Sequence, residues 1–349
     1  MAFRQSLSIA HLIPGGIKMS DNYKQYTLGW HRGERKEEFE KKKVYELKES
    51  EESLDFLRKA TGYTLTISQQ TIPVAGFVRE ADVTKLWSVY EKLRSQTDRP
   101  IRISFNTLML RFFTECLKSA PILNAHLKYK PFNASGTLTY KGSVEVSMPV
   151  ILPNGRMIPI VLHDAGNKNL DEMAFAVSEI ERKLYNTILD ETLYDVAKQR
   201  MFLLVRQGHI LQAAATGLSS FIGKNKVKFA PSKIRREYRK EVKPEDRLCA
   251  EDIGEGTVCI SDLGSIYSGK GFATTSPVLQ PTTAVIAFGR VRDEEKVYKK
   301  EDGQLDLKTV KILPITILFD HKIGGFPDIV PFLDKMDSLF ENPEVILDW

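Results

Sequence analysis

The chain has 349 residues, of which 42% are hydrophobic and 27% charged, and 50 Lys and Arg against 45 Asp and Glu leave a formal charge of +5. That composition excludes a disordered, collagen-like or disulfide-stapled chain, and the length suits one large domain or two modest ones. The three cysteines, Cys116, Cys249 and Cys259, form no CxxC pair, which argues against a zinc ribbon or a thioredoxin-type centre. Their odd number fits a reducing, cytoplasmic setting.

The opening stretch, Met1 to Lys18, is interrupted by His11 and Pro14 and reads neither as a membrane span nor as a signal-peptide core. Residues 32–53 mix both charge signs densely, the pattern of a solvated helix or an arm. Val83, Leu86, Trp87, Tyr90 and Leu93 then recur at helical spacing behind the cap candidate Asp82. A second helix, running from Leu108 through Cys116 to Leu117, is apolar nearly all round and therefore reads as buried, with Cys116 a core residue. His126 follows it.

From Thr137 the period changes to two, which predicts strands over Thr137–Tyr140 and Val144–Met148, a turn at Pro153–Gly155 and a returning strand at Met157–Leu162. One long helix is expected from Leu170 to Leu193, opened by Asn169 and the acidic Asp171 and Glu172. Residues 201–223 are apolar but carry Arg206, Gln207, His209 and Gln212. Lys224 to Lys243 follows with nine Lys/Arg and two Glu, a local +7 that leaves the remainder of the chain at −2. The C-terminal third reads as strands over Val258–Ser261, Ala284–Val291 and Val310–Phe319, with Asp302-Gly303 turning a charged hairpin between the last two. A helix over Ile329–Phe340 ends the pattern.

Among six histidines, His11, His31, His126 and His209 read as structural, and His163 beside Asp164 as a weak candidate base. His321 differs, because an apolar strand, Ile312–Phe319, and then Asp320 deliver it onto the glycine turn Gly324-Gly325. Ser261 and Asp262 end another strand before a glycine-rich loop. That loop lacks GxxxxGK[ST] and GxGxxG, and the chain holds no GxSxG or HExxH, so nucleotide, serine-hydrolase and zinc-protease sites are not indicated.

Three segments in order, GTVCISDLG, PVLQPTTAVIAFGRV and LPITILFDHKIGG, resemble the catalytic domain of the 2-oxo acid dehydrogenase acyltransferases, relatives of chloramphenicol acetyltransferase. The family shows a TFTISNLG-like strand, a PIINPPEVAILGVG-like segment and a DHRxxDG signature in the same order. Upstream, TIPVAGFVREADVTKL, SAPILNAHL and VEVSMPVILPNGRMIPIV are similar to its first strand and helix, a helix end, and a strand–turn–strand unit. The resemblance covers about residues 60–349. It implies an α/β fold, the chloramphenicol acetyltransferase-like two-layer sandwich with a mixed sheet, over 60–349, with an N-terminal arm over 1–59 and a basic insertion at about 201–250.

The resemblance further implies a CoA-dependent acyltransferase that moves an acyl group between a CoA thioester and a thiol or other nucleophile. His321 would be the general base, its imidazole held by its own main-chain carbonyl, and Ser261 the hydroxyl donor to the tetrahedral oxyanion. Asp320, Lys322 and Gly325 stand in supporting positions. Three residues depart from the family pattern: Lys322 for Arg, Gly325 for Asp or Asn, and Phe326 for Gly. No metal is implied. No lipoyl-attachment-like Asp-Lys-Ala hairpin is found, so the expectation is a free-standing core acting on a separate substrate. Family sites form between subunits, which implies a homotrimer or a larger assembly of trimers. Residues 201–243 read as a helix with solvated lysines, as a docking patch for an acidic carrier (lipoyl or acyl carrier) domain, or as an anionic-membrane surface; nucleic-acid binding is disfavoured for want of aromatic interleaving. The other reading is a trimeric scaffold of the same fold without turnover.

Overall fold

A computed structural model describes residues 56–152, 157–206, 230–271, 277–300 and 302–349, with a few single positions besides. Most of the expected arm over 1–59 and of the charged run 32–53, the turn at 153–155 and most of 207–229 lie outside the described residues.

The chain opens with α1 (Phe56–Thr71), β1 (Val74–Asp82), α2 (Thr84–Ser95) and α3 (Phe105–Leu117). Strands β2 (Ala125–Lys130), β3 (Ser135–Tyr140), β4 (Val146–Ile151) and β5 (Met157–Leu162) follow, then helices α4 (Leu170–Asn186), α5 (Leu189–Arg206) and α6 (Ser232–Glu241). Strands β6 (Val258–Asp262), β7 (Ala284–Phe288), β8 (Arg292–Lys299) and β9 (Leu305–Asp320) precede the last helix, α7 (Phe326–Glu341). Seven strands form one mixed sheet in the order β1-β9-β7-β6-β4-β5, with β8 paired to the first half of β9. Strands β2 and β3 form a separate antiparallel pair.

Strand periodicity decides what covers the sheet. Val258, Ile260, Ile286, Ile315, Ile317 and Phe319 point to one face, where α2, α3, α4 and α7 bury them. Alternate positions Cys259, Val285 and Leu318 point to the other face, against Ile72 and Val278. Helix α3 lies in the middle of the helical layer, and Phe112 stacks on Phe340 of α7 with centroids 4.8 Å apart. Cys116 is fully buried there, and burial pushes its thiol up. This α/β sandwich with a mixed sheet is the architecture that the sequence implies.

Local signals fix several helix ends. Asp82 Oδ1 accepts from the Thr84 amide at 3.0 Å, one position earlier than an ordinary N-cap. Asn169 and Glu172 close a capping box on α4.

One expectation is corrected and two gain detail. The helix expected over Leu170–Leu193 is two helices, broken at Thr187-Ile188. There Thr187 Oγ1 accepts from the Leu248 amide at 2.8 Å and the Ile188 amide donates to Tyr238 Oη at 3.2 Å, so partners some fifty to sixty residues downstream turn the chain. His126 follows α3 as expected and lies within β2, whose short span hides its period. The charged hairpin expected around Asp302-Gly303 is present: charged residues 292–299 form β8, paired to β9 from Arg292↔Ile312 to Lys299↔Leu305. Both faces of this ribbon are largely exposed, so no burial imposes alternation on its sequence.

Gly256 sets the entry of β6. Its φ is +58°, and a Cβ there would overlap the Glu145 carbonyl oxygen, while the next amide, Thr257 N–H, donates to that same oxygen at 2.7 Å. Gly256→Ala is expected to cost about 2–4 kcal/mol, read as a lower urea midpoint at unchanged m-value.

Candidate active site

The chain leaves β9 under close control. Asp320, 1% exposed, donates its amide to the Thr283 carbonyl at 2.9 Å, and the His321 amide donates to Pro73 O at 2.8 Å. Asp320 Oδ1 accepts from the Lys322 amide at 3.0 Å, and its Oδ2 lies 3.0 Å from Lys322 Nζ. The same ammonium donates to the Thr71 carbonyl at 2.7 Å and lies 5.5 Å from the Tyr129 ring centre. Lys322 and Asp320 are therefore struts that join α1, β2 and β9, and a compact ammonium serves this purpose without the planar fork of an Arg.

Between these anchors the His321 side chain is exposed. Its Nδ1 is 2.9 Å from the carbonyl oxygen of Gly324, rather than its own carbonyl as the family resemblance implies. A carbonyl can only accept, so Nδ1 carries the proton and Nε2 is left as the basic nitrogen. The imidazole stands beside Phe319, ring centroids 5.9 Å apart, and Phe319 meets Phe326 at 6.0 Å. Phe326 also packs edge-on to Phe77 at 6.5 Å, so the residue in place of the family glycine extends an aromatic wall behind the histidine.

Gly325 has no side chain to hold this turn, and Asp328 holds it instead. Its Oδ2 accepts from the Gly325 amide at 2.7 Å, and a Cβ at Gly324 would overlap that same oxygen. The sequence reading passed over Asp328, although an acidic residue in the first turn of the last helix was the available signal.

Ser261 lies on β6, between the parallel neighbours β4 and β7. By alternation it shares the face of Cys259, whose thiol burial pushes up to about 12. The turn beyond is tightly tied. Asp262 Oδ1 accepts from the Ser265 amide at 3.0 Å, Ser265 Oγ donates to the Asp262 carbonyl at 2.8 Å, and the Leu263 amide donates to Phe288 O at 2.8 Å. Gly264 admits the Arg290 backbone, whose nitrogen a Cβ would meet at 2.7 Å. Burial raises the Asp262 carboxyl to about 6 and that of Glu255, just before β6, to about 7.

The structure does not bring Ser261 and His321 of one chain together. Ser261 pairs with Ala287, and Ala287 with Thr316, so Ser261 is level with a point on β9 five residues before His321. That offset is about 17 Å along the strand and two strand spacings add about 10 Å across it, placing the two residues about 20 Å apart. They sit toward opposite ends of the sheet.

Of the other histidines, His126 and His163 are described, and both have structural partners. His126 Nε2 is 3.0 Å from Gly256 O, and burial lowers its basicity. His163 lies between Glu145, 2.8 Å from Nδ1, and Asp252, 3.6 Å from Nε2. No group of three or more potential metal ligands occurs among the described residues, and no described helix is long and apolar enough to cross a membrane.

Asp262 carries a pH prediction. Its ordinary value is 3.8, so between that and about 6 the folded protein holds a proton that the unfolded chain releases. The stabilisation from this neutral carboxyl is full below about pH 3.8 and lost as pH rises through about 6. Asp262→Asn, which keeps an acceptor for Ser265, should raise the unfolding free energy at pH 8 by about 1–3 kcal/mol and leave it nearly unchanged at pH 4. Denaturant titration at the two pH values measures the difference.

The profile of the 2-oxoacid dehydrogenases acyltransferase (catalytic domain) family matches residues 46–192 and 231–347. The chain is 24% identical over 293 residues to the dihydrolipoyllysine-residue succinyltransferase component of the 2-oxoglutarate dehydrogenase complex of Rickettsia bellii, covering 83% of this chain and 55% of that protein. It is 21% identical over 265 residues to the mitochondrial dihydrolipoyllysine-residue acetyltransferase component of the pyruvate dehydrogenase complex of Neurospora crassa, covering 76% and 43%. The chain thus spans about half the length of these curated relatives. Among solved structures, the cubic core of the pyruvate dehydrogenase multienzyme complex shares the fold with a TM-score of 0.55 at 17% identity, over 88% of this chain and 96% of that one. Dihydrolipoamide acetyltransferase of Azotobacter vinelandii, in which a serine, a histidine and an asparagine were investigated for their catalytic roles, gives a TM-score of 0.53 at 16% identity over 87% and 98%. With its profile match running from before α1 through the last helix, this chain belongs to the acyltransferase family of the 2-oxoacid dehydrogenases, by its catalytic domain.

Proposed function

We propose that the protein transfers an acyl group between coenzyme A and a thiol at a site shared by two subunits of a homotrimer. The observation that carries this reading is the placement of Ser261, near the end of β6, and His321, on the turn after β9, toward opposite ends of one sheet, too far apart to meet within one chain. A second copy, presenting its opposite end, completes the pair in a closed ring of heterologous contacts. The acceptor is a dihydrolipoyllysine residue, the group named in the relatives, and so a thiol carried on a protein.

In this reading His321 Nε2 takes the proton of the acceptor thiol, and the thiolate attacks the carbonyl carbon of the acyl-CoA thioester. The C=O electron pair moves to oxygen, and Ser261 Oγ of the adjoining subunit donates to that oxyanion. Collapse of the tetrahedral species breaks the bond to sulfur of coenzyme A, whose thiolate takes the proton from the imidazolium. Gly324 keeps Nδ1 protonated throughout, Asp328 holds the turn, and Lys322 and Asp320 act through the main chain.

Removing the base is expected to lower kcat by ~10²–10⁴ in His321→Ala. Removing the oxyanion donor in Ser261→Ala should cost about 10²–10³, so the first variant is impaired at least as much as the second. Transfer from acetyl-CoA or succinyl-CoA to dihydrolipoamide is the assay, and equal rates for wild type and His321→Ala would instead favour a scaffold without turnover. The shared site has its own check. Neither single variant turns over well, but trimers assembled from an equal mixture of the two regain intact sites in about a quarter of interfaces. Activity of the mixture well above both parents supports the intersubunit pair, and activity no higher than the parents' mean overturns it.

A further inference from the structure

The basic stretch has a definite structure where it is described. Helix α6 is fastened to the α4–α5 junction by its inner side. Tyr238, fully buried, donates to Asn186 O at 3.0 Å and packs with Ile188 and Val242, and the Arg247 guanidinium lies 5.2 Å from its ring centre. Glu191 of α5, whose side chain is 3% exposed, pairs with Arg235 and, at 2.8 Å, with Arg239. A carboxylate so deeply buried needs such partners, and the pairing fixes both the rotation and the height of α6.

This anchoring determines what faces outward. Positions 232, 235, 236, 239 and 240 follow helical spacing and line a shallow hollow of about 390 Å³ with one serine and four cationic side chains. Lys233, Arg236 and Lys240 are exposed and form no ion pair among the described residues. The apolar residues of the helix, Ile234 and Tyr238, are turned inward, so the outer face offers no large apolar side chain for insertion into a lipid interface. Among the described residues no exposed aromatic ring lies on α6 to stack a base. What remains is a rigid cationic surface on a helix that carries five Lys and Arg against Glu237 and Glu241. The complementary object is a folded surface bearing carboxylates.

We infer that the outer face of α6, through Lys233, Arg236 and Lys240, docks the acidic face of the protein domain that carries the acyl acceptor. The role given to the partner rests on the transferase reading above, whereas the charge complementarity does not. Docking raises the local concentration of the acceptor thiol and leaves the chemical step to His321 and Ser261.

The experiment uses the full chain and, as probe, an isolated lipoyl domain of net negative charge, with binding followed by calorimetry at 50 and 300 mM salt. The wild type should bind and lose at least about fivefold in affinity at the higher salt. The triple variant Lys233→Glu, Arg236→Glu, Lys240→Glu should lose at least about tenfold at the lower salt, and the neutral variant Arg236→Gln, Lys240→Gln an intermediate amount. These variants keep Glu191, Arg235, Arg239 and Tyr238, so their melting temperatures should match the wild type, and so should transfer to free dihydrolipoamide. Failure of the wild type to bind the domain overturns the proposal, as does equal binding by the triple variant. Binding only to vesicles containing phosphatidylserine, or a variant-dependent change in self-association without domain binding, overturns it in favour of a membrane or a second copy. Activity on free dihydrolipoamide without docking removes this proposal alone, and docking without activity removes the transferase reading alone.

Discussion

The hydrogen-bond register of β6, β7 and β9 is the constraint on which this molecule depends. Parallel pairing of β6 with β7 and antiparallel pairing of β7 with β9 carry Ser261 and His321 away from each other. No side-chain movement closes a gap of that size, because a rotamer change moves a terminal atom by only a few ångströms. In the transferase reading proposed above, a single chain thus holds two half-sites, and oligomerisation is part of the chemistry.

The turn after β9 shows how a site tolerates altered residues when the geometry they enforced is supplied elsewhere. Gly325 removes a carboxylate that the family pattern places four residues after the histidine, yet Asp328 reaches the same turn from the first turn of α7. Lys322 replaces an arginine and serves as a strut between Asp320 and Thr71. Phe326 fills the space left by a glycine and joins Phe77 and Phe319 behind the imidazole. The hydrogen bond from Nδ1 to Gly324 then suffices to set the tautomer, which is the property a general base at this position needs.

Burial does different work at the other half-site. Asp262 sits next to Ser261 and pairs with no cation among the described residues, so burial raises its carboxyl to about 6. That carboxyl ties the turn through the Ser265 amide. Glu255 and Cys259, both close to β6, are likewise raised by burial. A cationic surface lies instead on α6, where the buried Glu191 carboxylate fixes the helix.

Sequence alone determined the helices with strong 3.6-residue apolar periodicity, the buried state of Cys116, the β4–β5 pair and the delivery of His321 by an apolar strand, because each rests on residues close together in the chain. It also carried the family resemblance, through three motifs in fixed order. Only the tertiary structure decided that α4 and α5 part at Thr187, since Leu248 and Tyr238 cause the break, and that β8 is a strand, since an exposed ribbon leaves no periodic trace. Tertiary contact likewise gave Asp328 its role and removed Ser261 from His321. Strand register is a sum over pairings between distant segments, and no local pattern of residues records it.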